Sequence, residues 1–172
     1  SLDGPKNRTS FVNRANVHHV VRPTLVKQGI HEAALPVMEK VYGGANAQPF
    51  TTHSNAKDTT IYLRISHELA LKKLLVGGLE KVYHIGPAFR NEDIDTTHNP
   101  EFTLMECYAA YWDSHGMIML TEKLFQTHLH AVNNGILPLD SAAQATPHFA
   151  HYPVLPIPTP ARSTLHPSPA PA

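Results

Sequence analysis

The stretch Ala88-Phe89-Arg90-Asn91-Glu92-Asp93-Ile94-Asp95-Thr96-Thr97-His98-Asn99-Pro100-Glu101-Phe102-Thr103-Leu104-Met105-Glu106, continued by Cys107-Tyr108-Ala109-Ala110-Tyr111-Trp112, decides the fold. Its pattern predicts two strands, Phe89 to Glu92 and Phe102 to Tyr111, joined by a polar loop. Side chains alternate across a strand, so Phe102, Leu104, Glu106, Tyr108 and Ala110 share one face while Thr103, Met105, Cys107 and Ala109 share the other. Glu106 then sits among apolar and aromatic neighbours, where a carboxylate is costly unless a cation or several donors meet it. Arg90 and Glu92 share a face by the same rule. Paired as a hairpin, the strands bring an arginine, two carboxylates, a phenylalanine and a tyrosine to one sheet surface. A structural ion pair of Arg90 with a glutamate and a ligand site are both open on this pattern.

Outward from the hairpin, Lys81 to Ile85 reads as a strand. Ser66 reads as the N-cap of a helix with Leu69, Leu71, Leu74 and Leu75 apolar, closed by Gly77-Gly78. Ile61 to Ile65 reads as a short strand, and the Gly43-Gly44 pair with Pro49 as a turn and extended chain. Ser10 to Gln28 has helical spacing up to Gly29, with Pro23 inside it. Beyond the hairpin, Asp113 or Ser114 caps a helix to about Asn133. Strands and helices in this order, with hairpin-length links, predict an α+β class: a mainly antiparallel sheet flanked by helices.

The 172 residues carry 14 Lys+Arg against 14 Asp+Glu, so no overall positive field is available to hold a nucleic acid. Only Asp140 and Arg162 among the charged residues follow Lys123, and nine of the fifteen prolines lie from Pro138 onward. That spacing predicts a disordered or polyproline tail over 138–172, with a proline-rich ligand for another domain as the lesser reading. The expected divisions are a linker over 1–9, an ordered domain over 10–137 and the tail. The chain opens at Ser1, as a fragment or processed product does. No window approaches the length of a membrane span and no signal peptide opens the chain, and the single Cys107 agrees with a reducing compartment; a cytoplasmic location is expected.

His31-Glu32 and His67-Glu68 each begin a zinc-protease pattern, but Leu35 and Leu71 stand where a second histidine is required. The thirteen histidines read as structural or surface groups, no metal site is expected in this chain, and no Walker loop is present.

The run from Ala88 to Glu106 resembles motif 2 of the class II lysyl-tRNA synthetases. Gly43-Gly44-Ala45-Asn46-Ala47-Gln48-Pro49-Phe50 and the stretch from Tyr62 to Lys72 are similar to further parts of that family, and Ser10 to Pro36 resembles its motif 1. The resemblance covers roughly Ser10 to Asn133. It implies a partial class II aminoacyl-tRNA synthetase core, which activates lysine with ATP and transfers it to tRNA. Activation is in-line attack of a carboxylate on the α-phosphate, governed by positioning and by cations facing the developing charge. Arg90 matches the motif 2 arginine facing that phosphate, Phe102 the residue that stacks on adenine, and Glu92, His98 and Asn99 the loop that grips ATP. Glu68, Glu106 and Tyr108 match lysine-pocket positions, and Gly44 and Ala45, with Gly43, a backbone contact to the amino acid.

Departures accompany the match. Ala34-Leu35-Pro36 replaces E-T-P in the segment by which the family forms homodimers, Gln48 replaces an arginine, Asp93 a glycine, and His84 and Pro87 a glutamate and an arginine or asparagine. The G-x-G-x-G-x-D-R motif 3 is absent, and the acidic residues that hold magnesium, like the anticodon-reading domain, are expected outside this chain. Two other functions remain beside the ligase: a non-catalytic remnant that binds ATP or lysine weakly or serves as a protein contact, and a relative that attaches lysine to an elongation factor.

Overall fold

The computed structural model describes residues 5–96 and 98–133. The tail expected over 138–172 lies outside them. Among the described residues three helices and six strands follow in the order α1 (Pro5–Lys27), β1 (His31–Glu32), β2 (Met38–Glu39), β3 (Thr51–Ser54), β4 (Thr59–Leu63), α2 (Glu68–Val76), β5 (Lys81–Phe89), β6 (Glu101–Ala109) and α3 (Ser114–Asn133). The strands form two three-stranded sheets, β1-β5-β6 and β2-β4-β3. Only β1 and β5 run parallel; the other pairs are antiparallel, in agreement with the expected α+β class.

The β5–β6 pair is the backbone of the molecule. Its register sets Val82 opposite Tyr108, His84 opposite Glu106, Gly86 opposite Leu104 and Ala88 opposite Phe102, so the expected alternation on β6 holds. One face, through Tyr83, Ile85 and Cys107, packs on Val21 and Leu25 of α1, Ile30, Trp112, and Met117, Leu120 and Leu124 of α3. Burial there pushes the Cys107 thiol up to about 11, which leaves it an unreactive packing group at neutral pH. The other face carries Glu106 and receives the start of α2.

β5 is one strand where two short ones were expected, and it ends at Phe89, so Arg90 and Glu92 lie in the loop rather than on a shared strand face. Gly86-Pro87 lies inside the strand without breaking it. The N–H of Phe89, two residues on and pointing the same way, donates to Arg64 O (2.9 Å), away from β6. Proline at 87 therefore removes a donor that β6 never used.

α1 starts at Pro5, so the segment expected as a linker over 1–9 is helical from there, and the helix runs through Pro23. Pro23 costs one ladder bond, but the last turn is held by tertiary contacts. Leu25 is fully buried, and Glu32 on β1 accepts from Arg22 (3.0 Å) and from the Tyr83 hydroxyl (3.1 Å). Asp113 caps α3 through Oδ1, which accepts from Gly116 N (2.8 Å). Ser66 serves α2 likewise by accepting from Glu68 N (3.0 Å), although the helix proper begins after His67.

Candidate active site

The loop between β5 and β6 closes on itself: Arg90 N donates to Pro100 O (2.9 Å), and Asp95 accepts from His98 through Oδ1 to the backbone N (2.8 Å) and Oδ2 to the ring (2.7 Å). Glu92 Oε1 accepts from Gln48 N (3.1 Å) while Asn91 N donates to Gln48 O (2.8 Å), which ties the loop to the segment before β3. Inside lies a cavity of about 250 Å³. All five residues expected around ATP line it, namely Arg90, Glu92, His98, Asn99 and Phe102. The Arg90 guanidinium carbon stands 5.1 Å from the centre of the Phe102 ring, and its Nε is buried without a hydrogen-bond partner. Among the described residues no ion pair joins Arg90 to a glutamate. An aromatic face and an unspent cation therefore border one cavity, a donor set suited to a base and a phosphate.

A second group lies along the same face of β6. Glu106 is four residues from Phe102, or about 13 Å at the usual strand rise. Its Oε1 accepts from His67 N (2.9 Å) and its Oε2 from the Tyr108 hydroxyl (3.1 Å), so donors rather than a cation offset its burial. Burial first, then the Glu106 charge, raises the Tyr108 phenol well above its ordinary range, so Tyr108 stays a donor. Glu68 opens α2 and forms an ion pair with Lys72. Gly44 has φ +87°, and a Cβ there would strike Ser66 Oγ and lie 2.7 Å from Glu68 Cβ. Only glycine allows that turn to press against Glu68. Ala45 follows it, half-buried.

Three residues shape this site without having been given a role in it from the sequence. Arg64, 1% exposed, donates through Nε to Pro87 O (2.7 Å) and through NH1 to Leu35 O (3.3 Å) and Pro36 O (3.2 Å), joining the 34–36 segment to β5. It crosses over Gly86, where a Cβ would lie 2.8 Å from its NH2. His67 and His84 meet edge to face at 4.6 Å. Carbonyls only accept, so His67 carries its proton on Nε2 toward Leu104 O (3.1 Å) and His84 on Nδ1 toward Ala33 O (2.7 Å). Their other ring nitrogens are buried and bare. The signal for Arg64 was a charged residue inside the apolar run Ile61 to Ile65.

Burial first, then Arg64, lowers both histidine pKa values, against the Leu104 and Ala33 carbonyls, Glu106 and Glu32. A histidine held neutral in the folded state contributes stability that is present above about pH 6.5 and lost as pH falls below it. The urea midpoint is expected to drop between pH 7.5 and pH 5.5, before the carboxylates titrate. A midpoint constant over that range would contradict this.

Among the described residues no helix is long and apolar enough to cross a membrane, and no three His, Cys, Asp or Glu side chains gather to hold a metal ion. Residues 1–156 match the family described as tRNA synthetases class II (D, K and N), a span that begins before and ends after the expected 10–137 domain. The chain is 50% identical to the lysine–tRNA ligase of Shouchella clausii over 121 residues, which are 70% of this chain and 24% of that protein. The lysine–tRNA ligase of Staphylococcus epidermidis is 53% identical over 115 residues, 67% of this chain and 23% of its own length. That of Carboxydothermus hydrogenoformans is 46% identical over 149 residues, 87% and 30% respectively. The chain thus spans about a quarter of the length of these relatives.

Proposed function

This chain belongs to the class II tRNA synthetases, and from that premise we propose that it is part of the catalytic core of a lysine–tRNA ligase, in which ATP and lysine meet along the Phe102–Tyr108 face of β6. The carrying observation is the 250 Å³ cavity where Arg90 and Phe102 stand together. In this reading adenine stacks on Phe102, the loop bearing His98 and Asn99 closes over the nucleotide, and Arg90 faces the α-phosphate. Glu68 and Glu106 receive the two ammonium groups of lysine, which leaves its carboxylate free to attack phosphorus as pyrophosphate departs. Tyr108 orients Glu106, and Gly44 and Ala45 border the amino acid.

A neutral analogue brings no cation to either carboxylate, which is the basis for rejecting it. Magnesium, expected for the family, neutralises phosphate charge when bound. The described residues offer no cluster of three His, Cys, Asp or Glu side chains to hold it. Transfer to tRNA and a cytoplasmic location belong to the same reading; homodimer formation is the family's, and the segment that serves it there is altered here at Ala34-Leu35-Pro36.

Lysine-dependent exchange of pyrophosphate into ATP tests the proposal. Exchange with lysine and none with norleucine is expected; exchange absent under both would overturn turnover by this chain and favour the non-catalytic reading. Supplying tRNA or an elongation factor as acceptor then separates the ligase from its protein-modifying relative.

A further inference from the structure

The two carboxylates assigned to lysine are partnered differently. Glu106 accepts from two neutral donors, the His67 N–H and the Tyr108 hydroxyl. Glu68 instead holds an ammonium already, that of Lys72 one helical turn along α2. A Glu–Lys pair at this spacing on an open helix surface touches only its own helix. Here the Lys72 ammonium also stands 5.9 Å from the centre of the Tyr108 ring, on β6. The other Glu68 oxygen, Oε2, lies 3.4 Å from where a Cβ on Gly44 would be. Glu68 is the more enclosed partner, its side chain 29% exposed against 53% for Lys72, so the long side chain can withdraw to solvent while the carboxylate stays. A carboxylate from α2 and an aromatic face from β6 meet one ammonium, and a glycine turn backs the carboxylate; they are the same groups assigned to the substrate.

Resting on the lysine reading and deepening it, we propose that Lys72 is an internal competitor for the substrate: its ammonium occupies Glu68 while lysine is absent, and bound lysine takes that carboxylate as Lys72 swings out. No covalent bond changes; one ion pair replaces another. Apparent affinity falls by the fraction of time the site is open. Occupied for about 70–90% of the time, the site binds lysine roughly three- to tenfold more weakly than an open one. In return, a ligand without a cation at that point cannot evict Lys72, which sharpens rejection of neutral amino acids.

The test is titration of lysine into the 172-residue chain and into the variants Lys72→Met, Lys72→Gln and Lys72→Arg, followed by calorimetry or NMR shifts. Both uncharged variants are expected to bind lysine about three- to tenfold more tightly, and Lys72→Arg to bind as the parent does. Loss of a purely structural support would weaken binding, so the sign separates the two roles. Lysine binding that is unchanged or weaker in the uncharged variants would overturn the competitor role alone. No lysine binding by any form would overturn the lysine reading and this inference together.

Discussion

Arg90→Ala is expected to lower lysine-dependent pyrophosphate exchange by about 10²–10³-fold, the loss that follows removal of one preorganised donor facing developing charge. The guanidinium is preorganised by its place against the Phe102 ring, and its buried Nε has no protein partner to give up when a phosphate arrives. Alanine should not open the loop, because the bond to Pro100 O comes from the Arg90 backbone. An unchanged melting temperature with collapsed exchange is therefore the expected pair of results. Arg90→Lys should recover little, since an ammonium lacks the planar fork. Exchange in Arg90→Ala equal to that of the parent would remove Arg90 from the reaction.

Arg64→Ala should produce the largest loss of stability, about 3–5 kcal/mol, read as a fall in the urea midpoint. Three backbone carbonyls, of Leu35, Pro36 and Pro87, lose their charged donor in a site closed to water. Against the usual domain stability of about 5–15 kcal/mol that is a third or more of the total. Arg64→Lys is expected to keep most of the loss, because one ammonium cannot reach both segments at once. A midpoint within experimental error of the parent would show that water or neighbouring groups replace the guanidinium.

The alternation on β6, the Asp113 cap of α3 and the glycine end of α2 were legible because each depends on spacing within a few residues. The four loop residues and Phe102 of β6 around the cavity were legible too, through the resemblance carried by the Ala88–Glu106 run. β5 was not. Gly86-Pro87 is a local signal for a break, and it is overridden by the direction in which residue 87 would point its missing N–H. Glu106 was readable as a carboxylate needing donors, but not that one donor is the backbone of His67, 39 residues earlier. Arg64 and the His67–His84 contact were hidden for the same reason, since their partners lie on other strands and segments. The Glu68–Lys72 spacing was readable as a helix pair, whereas the Tyr108 ring over it required the fold.

The bond from His67 N–H to Glu106 also has a consequence for the order in which the protein gains and loses its abilities. That donor is in place only when α2 has docked, and the carboxylate it shapes belongs to a strand made later in the chain. A growing or partly melted chain can thus hold its helices and even its hairpin while the proposed amino-acid site is incomplete. In the proposed reading lysine binding requires the docked helix as well as the hairpin, so it reports on completion of the fold more strictly than helix content does.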